Sequence, residues 1–435
     1  MSVSVKSRIH PFTKDLGDYL FPEGYKLIPG TSQIYELQLA VEESNALTPE
    51  ELLTRGAYFH SINGKDTRHF EMCSVSPVQV DKESSNRRKA FFEANLFKTG
   101  YATHGLFPYR GKFHPQMIKA IMNIIGLKPG DTALDPMMGS GTLCTEASIG
   151  GIRSIGIDSS PFCVLMARAK TNSLGFGGSG VLELLENADS VFDHFDKSAP
   201  DQVLFYVNED CKDGPVKADR LFEDEDLEEF VLLAYLDAMG YARRRKNKTP
   251  RELFPVVLSR YVSAAATFAE TRQRIGIEIE PAEHKVGDAR DLTDIDDDSV
   301  DGVVTSPPYS FAIDYVMNDA PQLEYMGIDL DDLRKDMIGL RGTKKEQLDN
   351  YLEDMNRVMG EIYRVLKTGK FAVVVIGTNS NQIKRLTGRD TDVMLDKELT
   401  ALAEGTGFQL VSDVIHPIEG IRNTLRDEHL LFYMK

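Results

Sequence analysis

Only four cysteines occur among the 435 residues, Cys73, Cys144, Cys163 and Cys211, and no two form a CxxC pair. Their scarcity sets aside a metal or disulfide framework, and a reducing cytoplasm is the expected location. Long apolar runs are missing too: stretches such as Phe371 to Gly377 fall far short of the roughly 18 residues that span a bilayer, so no membrane partner is expected. The opening MSVSVKSRIHPF lacks the apolar centre and small-residue cleavage site of a secretion signal, so none is expected. No repeat or low-complexity tract is present. Positive charge is in deficit, with 50 Lys+Arg against 67 Asp+Glu and a net charge of −17. Proteins that merely coat nucleic acid neutralise phosphates and are basic, which excludes that class but not an enzyme with a local basic groove. The acidic blocks Glu223 to Glu229 and Asp288 to Asp301 are expected to be solvated faces.

What remains is a composition of 42% hydrophobic and 27% charged residues, ordinary for a globular chain long enough for two or three domains. Residues 1–95 read as a small α+β appendage, a candidate for substrate recognition. From residue 96 the chain alternates strand, turn and helix to its last residue, 435. Short apolar runs predict strands at Thr132 to Leu134, Ser154 to Ile157, Gly302 to Thr305, Phe371 to Ile376, Phe408 to Ile415 and His429 to Met434. Helices are predicted at Thr142 to Ile149, stopped by a Gly pair, and at Pro161 to Asn172. Others follow at Lys345 to Leu366 and Asp392 to Glu404. The regularity lapses over 173–280, an inserted helical region in which Thr249-Pro250-Arg251-Glu252 forms a capping box opening a helix to about Gln273. The alternation predicts an α/β, doubly wound, mostly parallel sheet whose ligands bind beyond the carboxyl ends of its strands.

At the first such end lies Asp135-Pro136-Met137-Met138-Gly139-Ser140-Gly141-Thr142. Glycines one residue apart allow close backbone approach to a ligand at a helix start. The third glycine of the dinucleotide fingerprint is replaced by Cys144, and Asp135 would repel a pyrophosphate while favouring a sulfonium or ammonium group. Asp158 ends the second strand, placed for ribose hydroxyls, and Asp288 ends the third, placed for an adenine amine. Three acids on adjacent strand tips fit S-adenosylmethionine (AdoMet) better than NAD.

Thr305-Ser306-Pro307-Pro308-Tyr309 closes the fourth strand. Consecutive prolines remove two backbone donors and leave carbonyls on a rigid turn. Ser306 and the Pro307 carbonyl can accept the hydrogens of an exocyclic amine while Tyr309 stacks on its ring. Holding both hydrogens draws the nitrogen toward tetrahedral geometry, so orientation and electrostatics suffice for methyl transfer and no metal is called for.

These motifs resemble those of the amino-methyltransferases that modify exocyclic nitrogens of DNA bases, in particular the N4-cytosine branch. DPMMGSGT at 135–142 is similar to the family's first motif, with Met137 in place of the consensus aromatic, and SPPY at 306–309 to its catalytic motif. Ser306 at its first position indicates cytosine N4 rather than adenine N6. The segment His104 to Phe113 resembles the family's segment at the methionine end of the cofactor. Over roughly 100–172 and 281–435 the resemblance implies a class I methyltransferase fold, a Rossmann-like, mostly parallel sheet with an antiparallel last strand. It also implies catalytic roles for Ser306, Pro307, Pro308 and Tyr309. The cofactor contacts it implies are Phe107, Tyr109, Lys112 and Phe113, then Asp135, Pro136, Gly139, Ser140, Gly141 and Thr142, then Asp158, Asp288, Ala289 and Thr305.

The chain departs from the DNA enzymes in having no separate target-recognition region, and EHLLFYMK closes the last strand. The helix preceded by RRRKNK, carrying Arg260, Arg272 and Arg274, is a candidate reading surface. Candidate phosphate contacts are Arg334, Lys335, Arg341, Lys344, Lys345, Lys384, Arg385 and Arg389. DNA ranks ahead of RNA as the nucleic-acid partner. The alternatives are N4 of cytidine in ribosomal RNA and N2 of guanosine in transfer RNA, the latter disfavoured because an acid usually stands where Ser306 does. A companion restriction enzyme fits the DNA reading. His104, His114, Cys144 and Cys163 read as packed or satisfied residues rather than ligands, while Asp314 and Tyr315 are candidates to line a base pocket.

Overall fold

The computed structural model describes residues 16–75, 100–109, 111–197, 221–244, 248–308, 314–378, 383–384, 393–417 and 427–435. Tyr309, Arg110, Cys211, Arg385 and Arg389 lie outside them, as do residues 245–247 of the RRRKNK run. Among the described residues no helix is long and apolar enough to cross a membrane.

The N-terminal strands β1 (Tyr25–Leu27), β2 (Phe59–Ile62) and β3 (Lys65–Asp66) form a small antiparallel sheet. The main sheet contains β4 (Thr132–Asp135), β5 (Arg153–Asp158), β6 (Ala282–Val286), β7 (Val300–Thr305), β8 (Leu366–Gly377), β9 (Gln409–Pro417) and β10 (Asp427–Met434). Its order is β6-β5-β4-β7-β8-β10-β9, parallel from β6 to β8, with β10 antiparallel to both neighbours. This is the class I methyltransferase arrangement, an α/β fold with the expected antiparallel last strand. The predicted helices Thr142–Ile149 and Pro161–Asn172 form with those bounds.

β8 is continuously apolar because both of its faces are covered. Val373 and Val375 meet the Pro115–Ile124 and Thr142–Ile149 helices, while Ala372, Val374 and Ile376 meet the Gln347–Val365 and Leu395–Thr406 helices. The N-terminal residues share the first of these cores: Tyr35, Leu39, Leu52 and Phe59 pack with Ile118, Ile121, Val414 and Phe432. A buried polar clamp fastens them. Glu43 accepts from the Ala57 amide (2.8 Å) and Asn123 (2.7 Å), and Arg55 donates to Asn123 (3.0 Å).

The insertion is helical as expected, and the capping box at Thr249 and Glu252 opens a helix over Pro250–Ile275. It packs on a helix at Glu225–Arg244 that the sequence analysis missed, and both bury against Pro161–Asn172. The acidic run at its start hid that helix and corrects the solvated-face expectation. Glu228 and Glu229 point inward, Glu228 toward His194 at 3.5 Å and Glu229 accepting from Arg168 at 3.0 Å. The second block is also mixed: Asp301 is buried and pairs with Lys367 at 2.8 Å.

Candidate active site

β6, β5, β4 and β7 are consecutive in the sheet, so Asp288, Asp158, Asp135 and Ser306 gather at one edge, just beyond their carboxyl ends. The chain order reverses between β4 and β7, which is where open α/β sheets form their ligand crevice. Across that point the Thr305 hydroxyl donates to the buried Asp135 carboxylate at 2.7 Å, and the Met137 amide adds a second bond at 3.2 Å. The other Asp135 oxygen, Oδ2, is buried with no hydrogen-bond partner.

Above these tips opens a cleft of about 1030 Å³ including its mouth, the size range of small-molecule sites. Its walls include Tyr109, Lys112, Phe113, Pro136, Gly139, Ser140, Thr142, Asp158, Asp288, Ala289, Ser306 and Pro308. Phe107, Asp135, Gly141, Thr305 and Pro307 are buried beside these residues but are not among those that line it. Phe107 turns into the core edge-on to Phe162 (5.0 Å between rings), which corrects its expected cofactor contact.

The glycine turn is shaped by its neighbours. Gly139 (φ 49°) and Gly141 (φ 71°) are both left-handed, and a Cβ on Gly141 would lie 2.6 Å from Ala167 Cβ. Gly139 donates its amide to Asp158 at 2.8 Å, and Ser160 donates to the other oxygen at 2.9 Å. Each oxygen keeps a lone pair for a hydroxyl. The missing third glycine is compensated on the strand: Cys144 fits because Gly156 faces it, and a Cβ there would come within 2.8 Å of Cys144 Sγ.

The segment 100–113 reaches the cleft because Glu146, on the Thr142–Ile149 helix, anchors it. The Tyr101 hydroxyl and His104 Nε2 each donate to Glu146 Oε1 at 2.7 Å, and Lys112 donates to the His104 carbonyl. Burial opposes ionisation of Glu146, but His104, Lys119 and Tyr101 outweigh it and hold the carboxyl down at about 2. Burial in turn lowers His104 to about 4 despite that bond, so the ring is neutral. Glu146 carries no motif signal in the sequence. Tyr109 stacks on Tyr315 (centroids 6.3 Å apart, 21°), and both rings line the cleft. Cys163, expected to be core, is buried but also lines the cleft 3.5 Å from the Tyr109 hydroxyl.

Arg290 is the other residue that sequence reasoning missed. Its guanidinium grips both Asp288 oxygens (2.6 to 3.0 Å), then Asp354 at 2.9 Å and the Asp336 carbonyl at 2.8 Å. It therefore fixes the β6 end against the Asp336–Ile338 wall. Although burial opposes ionisation, Arg290 keeps the Asp288 carboxyl below its usual range. Lysine cannot reproduce a forked contact. Arg290→Lys is expected to weaken AdoMet binding severalfold with the circular dichroism spectrum unchanged, measurable by calorimetric titration.

The cleft's charges suit a cation. Its cationic side chains are already engaged, Arg290 with Asp288 and Asp354, and Lys112 with a carbonyl. Its carboxylates, with the orphaned Asp135 oxygen behind them, complement a sulfonium rather than a pyrophosphate. Burial raises Asp158, and raises Asp135 to about 7 against the Thr305 and Met137 bonds. A carboxyl in the unfolded chain titrates near 4. Asp135 therefore keeps its proton in the folded free protein between about pH 4 and 7, and its own contribution to stability falls as pH rises through that window. A bound cation favours the ionised form, so AdoMet binding is expected to tighten from about pH 6 to 8 with proton release. Calorimetry in two buffers of different ionisation heat measures both effects.

Several basic residues proposed for nucleic acid are committed elsewhere. Arg260 pairs with Asp237, Arg272 donates to the Leu174 and Gly175 carbonyls, and Arg274 pairs with Glu71 at 2.7 Å. Arg334 binds Asp314 (2.7 Å), Lys335 binds Asp332 (2.6 Å) and Arg341 binds Glu353 and Asp354 (3.1 Å each). Of the candidate reading surface, Arg260 and Arg272 therefore also tie parts of the insertion together, and Arg274 ties it to the Arg68–Ser74 helix. Lys344 and Lys345 are exposed.

Fold, switch-point crevice and cation-favouring walls together define the class I methyltransferase architecture with S-adenosylmethionine as its cofactor. Residues 106–178 match the family described as RMKL-like, methyltransferase domain. The Type II methyltransferase M.BsoBI of Geobacillus stearothermophilus is 24% identical over 310 residues, 59% of this chain and 58% of that protein. The Type II methyltransferase M.MjaII of Methanocaldococcus jannaschii is 46% identical over 67 residues, 15% of this chain and 12% of its own. A tRNA (guanine(10)-N2)-dimethyltransferase of Methanothermobacter thermautotrophicus is 32% identical over 85 residues, 19% of this chain and 25% of its own. The chain thus spans well under two thirds of the length of these relatives.

Proposed function

We propose that this protein transfers a methyl group from AdoMet to the exocyclic N4 amine of cytosine in DNA. The observation that carries the reading is Ser306 at the β7 end: it lines the same cleft as Asp158 and Asp288, and its hydroxyl has no hydrogen-bond partner among the described residues. A neutral acceptor there suits an amine whose hydrogens must be held without a fixed negative charge. Ser306 would take one hydrogen and the Pro307 carbonyl the other, while Tyr309 is proposed to stack on the ring. When bound, AdoMet supplies the electrophilic methyl. The protein orients the amine, excludes water with Tyr109, Tyr315 and the Asp336–Ile338 wall, and keeps the Ser306 strand tied to Asp135 through Thr305. Two of the relatives named above are Type II methyltransferases, which supports DNA as substrate and a companion restriction enzyme as partner.

Labelled AdoMet incubated with matched DNA and RNA pools, followed by nucleoside mass spectrometry, tests this directly. N4-methyldeoxycytidine is the expected product. Label confined to ribocytidine or to guanosine N2 would replace the DNA reading with an RNA one, the chemistry carried by the tRNA relative's name.

A further inference from the structure

Among the cleft's acids, one has no assigned task. Asp158 accepts two amides, Asp288 is gripped by Arg290, and Asp336 stands exposed at the rim. Asp319 lines the same cleft at 8% exposure, yet its carboxylate makes no hydrogen bond or ion pair among the described residues. Its position at the head of the short Ala320–Tyr325 helix does not explain it. Asp314 and Asp329, at the heads of the adjacent helices, spend their carboxylates on Met317 and on Asp331 and Asp332 amides, whereas Asp319 forms no cap bond. A nearly buried, unpartnered carboxylate is costly unless something enters the cleft to meet it.

Resting on the cytosine-amine reading above, we propose that Asp319 is the proton acceptor for the target amine. In the transfer the amine nitrogen forms a bond to the methyl carbon as the carbon–sulfur bond breaks, its electron pair going to sulfur. The nitrogen is left with one proton too many. Ser306 and the Pro307 carbonyl can hold hydrogens but cannot keep a proton, whereas the Asp319 carboxylate can take it and pass it to solvent through the cleft mouth. Burial first, and the Asp158 charge second, raise Asp319 to about 7, a proton affinity matched to that task near neutrality. The titratable groups facing it are Asp158, Cys163, Tyr109 and Tyr315.

The test needs no nucleic acid. Sinefungin carries an amine where AdoMet carries its methylsulfonium, whereas S-adenosylhomocysteine has neither methyl nor amine there. A carboxylate on the transfer path should favour sinefungin. Calorimetric titration of the full chain is expected to show the sinefungin-to-homocysteine preference falling about tenfold or more in Asp319→Asn, with S-adenosylhomocysteine affinity unchanged. Equal weakening of both ligands would mean that Asp319 serves the methionine ammonium common to them, and no change would mean that it faces neither; each overturns the proposal. If Asp319→Asn loses its circular dichroism signature, the wild-type protein decides. Its sinefungin preference should grow as pH rises through about 7, and a flat preference overturns the proposal. Asp135, also raised to about 7, meets the same ligand charge, so the series is repeated in Asp135→Asn: growth that persists there belongs to Asp319, and growth lost there overturns the proposal. The identity of the methylated base is read separately by mass spectrometry, so a product other than N4-methylcytosine would remove the cytosine reading while the ligand ratio still judges Asp319.

Discussion

Ser306→Ala is expected to bind AdoMet as the parent protein does while transferring methyl groups about a hundredfold more slowly or worse. The two halves of this result have separate causes. Ser306 is a wall residue whose hydroxyl has no partner among the described residues, and Ala fills the same backbone position between Thr305 and the rigid Pro307-Pro308 turn. The Asp135–Thr305 bond, the glycine turn and Asp158 are untouched, so the cofactor half of the cleft should persist. What disappears is one of the two acceptors at the reacting amine, and an acceptor that acts mainly in the transition state is paid for in kcat rather than in affinity. Calorimetry for the cofactor and single-turnover label transfer for the rate measure both halves. Transfer at the parent rate would remove Ser306 from the mechanism.

Gly141→Val is expected to abolish AdoMet binding and to destabilise the protein by about 3 kcal/mol or more. Two penalties combine at this position. A β-branched residue at φ 71° sits in the left-handed region, at about 1–2 kcal/mol. Its Cβ would also lie 2.6 Å from Ala167 Cβ and 2.9 Å from Ala167 Cα, and the second atom belongs to the backbone of a buried helix that cannot rotate aside. Overpacking of that kind adds about 1–3 kcal/mol. Urea unfolding followed by cofactor titration checks the outcome; a Val protein with the parent midpoint would show that the turn and the Pro161–Asn172 helix can part without loss.

The sheet was legible because both of its signals are strong and local. Apolar runs ending in Asp135, Asp158 and Thr305 mark strand tips, and the Thr142–Ile149 and Pro161–Asn172 helices are bounded by glycine and proline. The strand order then brought the three acids side by side, as their shared position at strand ends had implied. The illegible parts depend on partners far away in sequence. Glu146 looks like any helical glutamate until Tyr101 and His104 are folded onto it, and Arg290 looks solvated until Asp354 arrives from 64 residues later. The Glu225–Arg244 helix was masked because an acidic run usually means solvent, whereas Glu229 and Glu228 turn inward here to Arg168 and His194. The local partners of the insertion's arginines were equally illegible, since Asp237, Glu71 and two backbone carbonyls reach them only through the fold.

The Glu43–Asn123–Arg55 clamp bears on how the N-terminal residues can take part in any recognition. They are riveted to the back of the same sheet whose front edge carries Ser306, through shared apolar contacts and a buried carboxylate. A ligand held by them would be kept at a fixed distance and angle from that edge, as by a caliper rather than a leash.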